Sequence, residues 1–184
     1  MVRTRVGYTG GTSPEPTYHN LGDHSEAIQI DYDPVRISYQ QLLEIFWESH
    51  NQVWEPLSKQ YASFVFYHDR AQKTEAVLSK QQAEARHGSR FFTEIRPFPT
   101  FFIAEDYHQK YFLQQEPDLF REFSTIYPLI SRLIGSTAAA RVNGYLGGHG
   151  TTAELEANLP NLGLSPGGIQ RLLELRRRIP LRCT

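Results

Sequence analysis

Two stretches of alternating polar and apolar residues, separated by a long run with no period, constrain this chain most strongly. Met1 to Val6 alternate as a half-buried strand does, and Ala27-Ile28-Gln29-Ile30-Asp31-Tyr32 alternate again before Asp33-Pro34 closes the run. Between them, Gly7 to Gly22 carries glycines, prolines, Ser and Asn, and reads as a loop. A loop of that length inside a compact domain is commonly functional.

The period then changes. Ser38 and Gln41 have capping-box spacing, and Tyr39, Leu42, Leu43, Phe46 and Trp47 fall on one face of a helix running from Ser38 to Ser49. Phe46 and Trp47 are therefore expected in the core. His50 to Lys59 reads as a second irregular loop. Gln60 to Tyr67 is nearly continuously apolar, which predicts a central strand covered on both faces. Asp69 caps a polar helix reaching about Arg86, with Gly88 ending it. Phe91 to Ile95 and Thr100 to Ala104 are short strands around Pro97 and Pro99, and Glu105 to Gln115 is a helix ended by Pro117. From Phe120 onward the pattern is less regular, with one helix inside Gly163 to Ile179 that closes on the basic run Arg176-Arg177-Arg178, as suits a solvated helix end. The sum predicts an α/β fold: a small mixed β-sheet flanked by helices, a two-layer sandwich of ferredoxin-like kind, with a long irregular C-terminal region.

The 184 residues, 40% of them apolar, fit one domain with a sizeable core. A net charge of −1 offers no electrostatic argument for nucleic acid or an anionic membrane, and no apolar run approaches the roughly 20 residues that cross a bilayer. A monomer with neither kind of partner is expected. The single cysteine, Cys183, excludes an internal disulfide framework and a cysteine-based zinc site. It fits a reducing, cytoplasmic compartment, and the N-terminus shows no secretory signal.

The first loop gathers Tyr8, Tyr18, His19, Asp23, His24 and Glu26 ahead of a buried strand. One reading is a metal site from His19, His24 and Glu26, since imidazole and carboxylate suit zinc or iron, although their spacing matches no structural motif. Another is a polar pocket in which a half-buried Glu26 donates a proton or a hydrogen bond. A third is a surface glutamate at the start of a strand. The residues alone leave the three open.

A longer series of motifs narrows the choice. It runs from Val6-Gly7-Tyr8-Thr9-Gly10-Gly11 through Pro14 to Tyr18, Glu26, Asp31-Tyr32-Asp33-Pro34 and Ile37-Ser38-Tyr39. It continues with Phe46-Trp47-Glu48-Ser49-His50, Gln60-Tyr61, Ala104-Glu105-Asp106-Tyr107-His108-Gln109-Lys110-Tyr111, Asn143-Gly144-Tyr145 and Gly147-Gly148. In this order and spacing the chain resembles the methionine sulfoxide reductase A family, peptide-methionine (S)-S-oxide reductases, over residues 1 to 150. Residues 151 to 184 form a helical tail outside the resemblance.

The resemblance implies a reaction that repairs proteins under oxidative stress. A cysteine thiolate attacks the sulfur of methionine-S-sulfoxide, free or in a peptide. The oxygen leaves protonated, methionine departs, and the resulting sulfenic acid passes through a disulfide that thioredoxin reduces. No metal or organic cofactor takes part. Residue by residue, the resemblance makes Glu26 the acid that hydrogen-bonds the sulfoxide oxygen. It makes Tyr18 and Tyr61 the hydroxyls that hold that oxygen, and His108 and Tyr111 the support of the pocket. Two phenols and a carboxylic acid are suitable donors to so strong an acceptor.

Three departures bear on that assignment. The family's Gly-Cys-Phe-Trp segment, which carries the nucleophile, has no counterpart here, and Phe46-Trp47 already matches a different motif. The loop from Tyr18 to Glu26 is shorter than in common members. The family's aspartate ahead of Gln-Tyr is replaced by Trp54-Glu55-Pro56-Leu57-Ser58-Lys59, in which Glu55 is the candidate substitute. The simplest expectation is an N-terminally truncated form that is inactive for want of its thiol, with Cys183 read either as a free surface thiol without function or as the resolving cysteine of a complete form. The alternative is a non-catalytic binding module or scaffold for oxidised methionine.

Overall fold

The computed structural model describes residues 2–180. The chain divides into two compact units: one takes in Val6–Ile28 and Tyr32–Ala104, the other the residues up to Arg5, Gln29–Asp31 and the described chain from Glu105 onward. Small sheets flanked by helices make this a mixed α/β protein, as the periodicities predict. The strands are β1 (Arg3–Thr9), β2 (Ser25–Asp31), β3 (Phe64–Tyr67), β4 (Glu94–Pro97) and β5 (Phe102–Ile103). They form a three-stranded sheet of order β2-β1-β5 and a separate pair, β3-β4. In the antiparallel β1–β5 pair, Gly7 lies opposite Ile103 and Tyr8 opposite Phe102. The loop expected from Gly7 therefore starts only after Thr9. Gly7 permits this, because a Cβ there would collide with the Phe102 carbonyl and the Phe101 ring.

In the unit holding residues 32–104, local sequence chemistry sets the elements. Helix α1 (Tyr39–Glu48) starts at the expected capping box: Ser38 Oγ accepts from the Gln41 amide at 3.1 Å, and Gln41 Oε1 accepts from the Ser38 amide at 2.9 Å. Helix α2 (Arg70–His87) is capped by Asp69, and Gly88 ends it at φ 74°, a conformation glycine adopts without steric cost. Leu43 and Trp47 pack against Val65, Ala76, Ala83 and Phe91, which places the Phe46–Trp47 pair in core packing as expected. The Trp47 indole N–H donates to Ser79 Oγ at 3.1 Å, so its polar end is also satisfied.

Gln60 to Tyr67 departs from the expected central strand. Residues Lys59–Tyr61 make a 3₁₀ turn, and the strand begins at Phe64. β3 pairs in parallel with β4 alone, Phe64 opposite Glu94, and only Val65 along it is buried. A continuous apolar run signals a doubly covered strand only where sheets lie on both sides; here the aromatic side chains cover a two-stranded edge instead.

The other unit is helical past Glu105, against the expectation of a long irregular region. Helices α3 (Tyr111–Gln114), α4 (Pro117–Ile126), α5 (Ile130–Ile134), α6 (Thr137–Leu146), α7 (Thr152–Asn158) and α8 (Pro166–Arg178) follow one another closely. Leu113, Leu119, Phe123, Val142, Leu155, Leu162 and Leu172 form one fully buried cluster, so α8 contributes to the core. The helices are short, which is why their period is hard to read along the chain. The helix expected from Glu105 to Gln115 is broken in two. A 3₁₀ turn spans Asp106–His108, and Lys110 then adopts left-handed φ 51° before α3 begins. Left-handed backbone cannot continue the helical hydrogen-bond ladder.

Candidate functional site

The first loop is held shut by its own side chains. The Asp23 carboxylate accepts from the backbone amides of Thr12 and Ser13 at 2.8 to 2.9 Å and from both of their hydroxyls. These bonds, the Ser13 amide foremost, hold its pKa well below the usual carboxylate range. The neighbouring His24 is almost fully buried. Its Nδ1 accepts from the Gly11 amide at 3.2 Å and its Nε2 lies 2.8 Å from the Ser13 carbonyl, so Nε2 carries the proton. Both ring nitrogens are spent on loop backbone, which leaves no lone pair for the metal considered with His19 and Glu26.

Tyr18 sits in the turn that Thr17 and Asn20 close through reciprocal backbone bonds of 3.2 and 3.1 Å. Its ring meets His19 edge-on, and the residue is 40% exposed. Glu26 is the second residue of β2, just past the loop, and is exposed rather than half-buried.

The 3₁₀ turn at Lys59–Tyr61 docks onto this same point. The Ser25 hydroxyl, buried, donates to the Lys59 carbonyl, and Gln60 Nε2 donates to Glu26 Oε1 at 2.7 Å. Two adjacent residues of the turn are thereby bonded to two adjacent residues of the strand. Tyr61, the next residue, is carried alongside and stays 65% exposed. Glu26 and Tyr61 thus come from segments far apart in sequence to neighbouring positions within one unit. Sequence reasoning missed Gln60 as the partner of Glu26, a contact 34 residues apart that no local pattern signals.

His108 and Tyr111 belong to the unit that begins again at Glu105. His108 Nε2 stands 4.0 Å from Glu105 Oε2, and its ring lies 4.2 Å from that of Tyr107. Tyr111 opens α3, half exposed and edge-on to Phe112. Between them, Lys110 is buried, and its Nζ donates to the Thr4 carbonyl at 2.6 Å and to Thr4 Oγ1 at 3.0 Å. Burial, with Arg5 nearby, pulls its pKa down to about 8. Cys183 lies outside the described residues.

The hydrogen bonds of Ser25 and Glu26 join the Lys59–Tyr61 turn to the end of the glycine-rich loop. The peptide methionine sulfoxide reductase family model matches residues 1–129 of the chain. The chain is 41% identical to a peptide methionine sulfoxide reductase of Drosophila melanogaster over 168 residues, 90% of this chain and 67% of that protein. It is 38% identical over 151 residues to peptide methionine sulfoxide reductase A5 of Oryza sativa subsp. japonica, 79% of this chain and 59% of the relative. Among solved structures, Mxr1 from Saccharomyces cerevisiae in reduced form aligns with a TM-score of 0.54 and 26% identity, covering 62% of this chain and 71% of that one. This chain belongs to the peptide methionine sulfoxide reductase family, and it spans between 59% and 67% of the length of these two curated relatives. Among the described residues, no helix is long and apolar enough to cross a membrane.

Proposed function

We propose that this chain recognises the S epimer of methionine sulfoxide in oxidised peptides, with Glu26, Tyr18 and Tyr61 as donors to the sulfoxide oxygen. The observation that carries this reading is the docking of the Lys59–Tyr61 turn on Ser25 and Glu26, which brings Gln60, the neighbour of Tyr61 in the chain, onto the Glu26 carboxyl. A sulfoxide oxygen carries most of the negative charge of its S–O dipole. Donors already aimed at it cost little reorganisation on binding and strengthen as the bond lengthens.

In the family reaction a thiolate takes the sulfur, the oxygen leaves protonated, and thioredoxin restores the thiol. The donors named here polarise the S–O bond, but supply no sulfur nucleophile. The 184-residue chain therefore binds the oxidised side chain without turning it over. The single cysteine of the sequence, Cys183, favours this non-catalytic reading of the chain taken alone. Membership of the family favours catalysis in any form that carries the nucleophile segment.

Titrating the protein with N-acetyl-methionine-S-sulfoxide amide by NMR tests the recognition. Saturable shifts at Glu26 and Tyr61, with the R epimer binding at least tenfold more weakly, are expected. Equal response to both epimers, or none to either, rules the reading out.

A further inference from the structure

The bond between Gln60 and Glu26 has a chemical direction. A primary amide nitrogen carries two protons and no available lone pair, so Gln60 Nε2 only donates. Glu26 Oε1, 2.7 Å away, must then accept, whether the carboxyl is neutral or ionised. In the neutral acid, Oε1 becomes the carbonyl oxygen and the proton is confined to Oε2.

Without such a partner an exposed carboxylic acid rotates about its last torsion and places its proton on either oxygen. A donor to a ligand that spends only part of its time correctly aimed is correspondingly weaker. Gln60 is itself well placed to impose one arrangement. Its backbone belongs to a short turn anchored one residue earlier, at the Lys59 carbonyl, by the buried Ser25 hydroxyl. The backbone is already fixed there, so only side-chain freedom remains to be lost when its amide reaches Glu26.

We propose that Gln60 is a positioning residue of this site: by holding Glu26 Oε1 it makes Oε2 the oxygen that carries the proton of the neutral acid and donates it to the sulfoxide. The proposal rests on the reading of Glu26, Tyr18 and Tyr61 as the sulfoxide-binding donors. Gln60 touches no part of the ligand and acts through Glu26 alone.

A double-mutant cycle separates this role from a general structural one. Gln60→Met keeps the length and apolar stem and removes the donor. Affinity for N-acetyl-methionine-S-sulfoxide amide is measured in the unaltered chain, Gln60→Met, Glu26→Ala and the double variant. Gln60→Met is expected to weaken binding about fivefold to tenfold when Glu26 is present and to change nothing when it is absent, because the effect of one partner vanishes with the other. An equal loss in both backgrounds, or no loss in either, overturns the proposal.

A second readout needs no ligand. One of the two side-chain amide protons of Gln60 should resonate downfield and exchange slowly in the unaltered chain, and lose both properties in Glu26→Ala. A Gln60 amide indifferent to Glu26→Ala overturns the positioning role directly. Failure of the unaltered chain to bind either epimer, with the Gln60 signature intact, instead overturns the reading of the site as a sulfoxide pocket.

Discussion

Lys110 buries its ammonium against the Thr4 carbonyl, 2.6 Å away, with no carboxylate as a direct partner among the described residues. Its left-handed backbone aims the side chain there and splits the Tyr107–Tyr111 segment into a turn and a helix. A buried cation held by a carbonyl and a hydroxyl is costly to keep charged, and Arg5 close by adds to the cost. Asp31 does not relieve it, because that carboxylate is engaged by Arg3 and Arg5.

That arrangement fixes the sign of a pH dependence. The folded-state pKa of Lys110, about 8, lies below its ordinary value of 10.5. Between those values the folded chain holds Lys110 neutral while the unfolded chain binds a proton, so stability rises with pH across that window. Below about pH 8 both states are charged, and the cost of burial is fully felt. Urea midpoints measured from pH 7.5 to 10 should climb more in the unaltered chain than in Lys110→Met. Parallel curves for the two proteins would show that the buried ammonium is not the source.

The Asp23 bonds tie Thr12 and Ser13 back onto the end of the first loop. They should protect the Thr12 and Ser13 amides from hydrogen exchange, and Asp23→Ala should remove that protection without unfolding the rest. A depressed carboxyl pKa means the contribution is present above the ordinary value of 3.8 and is lost as pH falls below it. Residue-resolved exchange at neutral pH checks the point. Unchanged protection in Asp23→Ala would transfer the role to His24, which grips the same loop from Gly11 and Ser13.

What the sequence made legible was whatever is decided within a few residues. The capping box at Ser38 and Gln41 and the left-handed Gly88 are local bargains between a side chain and its own backbone, and both stand where the pattern puts them. The turn at Lys59–Tyr61 was hidden, because what bends it is a pair of bonds to Ser25 and Glu26, 34 residues away. The break at Lys110 was hidden for the same reason: its anchor, Thr4, is 106 residues off. Of the candidate site, the identities of Tyr18, Glu26 and Tyr61 came from motif resemblance. Gln60, which bonds Glu26, needed coordinates, since a glutamine beside a tyrosine says nothing of where its amide is spent.

Trp47 offers a measure of the α1–α2 contact. It is buried among Leu43, Ala76 and Phe91, and its indole N–H reaches Ser79. Trp47→Phe deletes one ring and one hydrogen bond but leaves Ser79 satisfied, because Ser79 Oγ also donates to the Ala76 carbonyl. The expected cost is about 1–3 kcal/mol, from the cavity and the lost bond together. Denaturant unfolding should show a lower midpoint with an unchanged slope. The fluorescence of the remaining Trp54, 76% exposed, should stay that of a solvated indole throughout. A cost below about 0.5 kcal/mol would mean that the Trp47 site collapses onto the smaller ring.

The last prediction concerns turnover. Glu26, Tyr18 and Tyr61 can draw electron density from a sulfoxide, but reduction requires two electrons from a nucleophile at sulfur. Neither a carboxyl nor a phenol provides them, and dithiothreitol attacks unactivated sulfoxides slowly. Incubated with a methionine sulfoxide peptide and dithiothreitol, the 184-residue chain should form methionine no faster than a protein-free control. The discriminating variant is Cys183→Ser, which removes the one thiol in the sequence. Turnover above the control that disappears in Cys183→Ser would make Cys183 the nucleophile, and the chain a reductase in its own right. Turnover that survives Cys183→Ser but falls in Glu26→Ala would instead show that polarising the S–O bond suffices for an external thiol to complete the reaction.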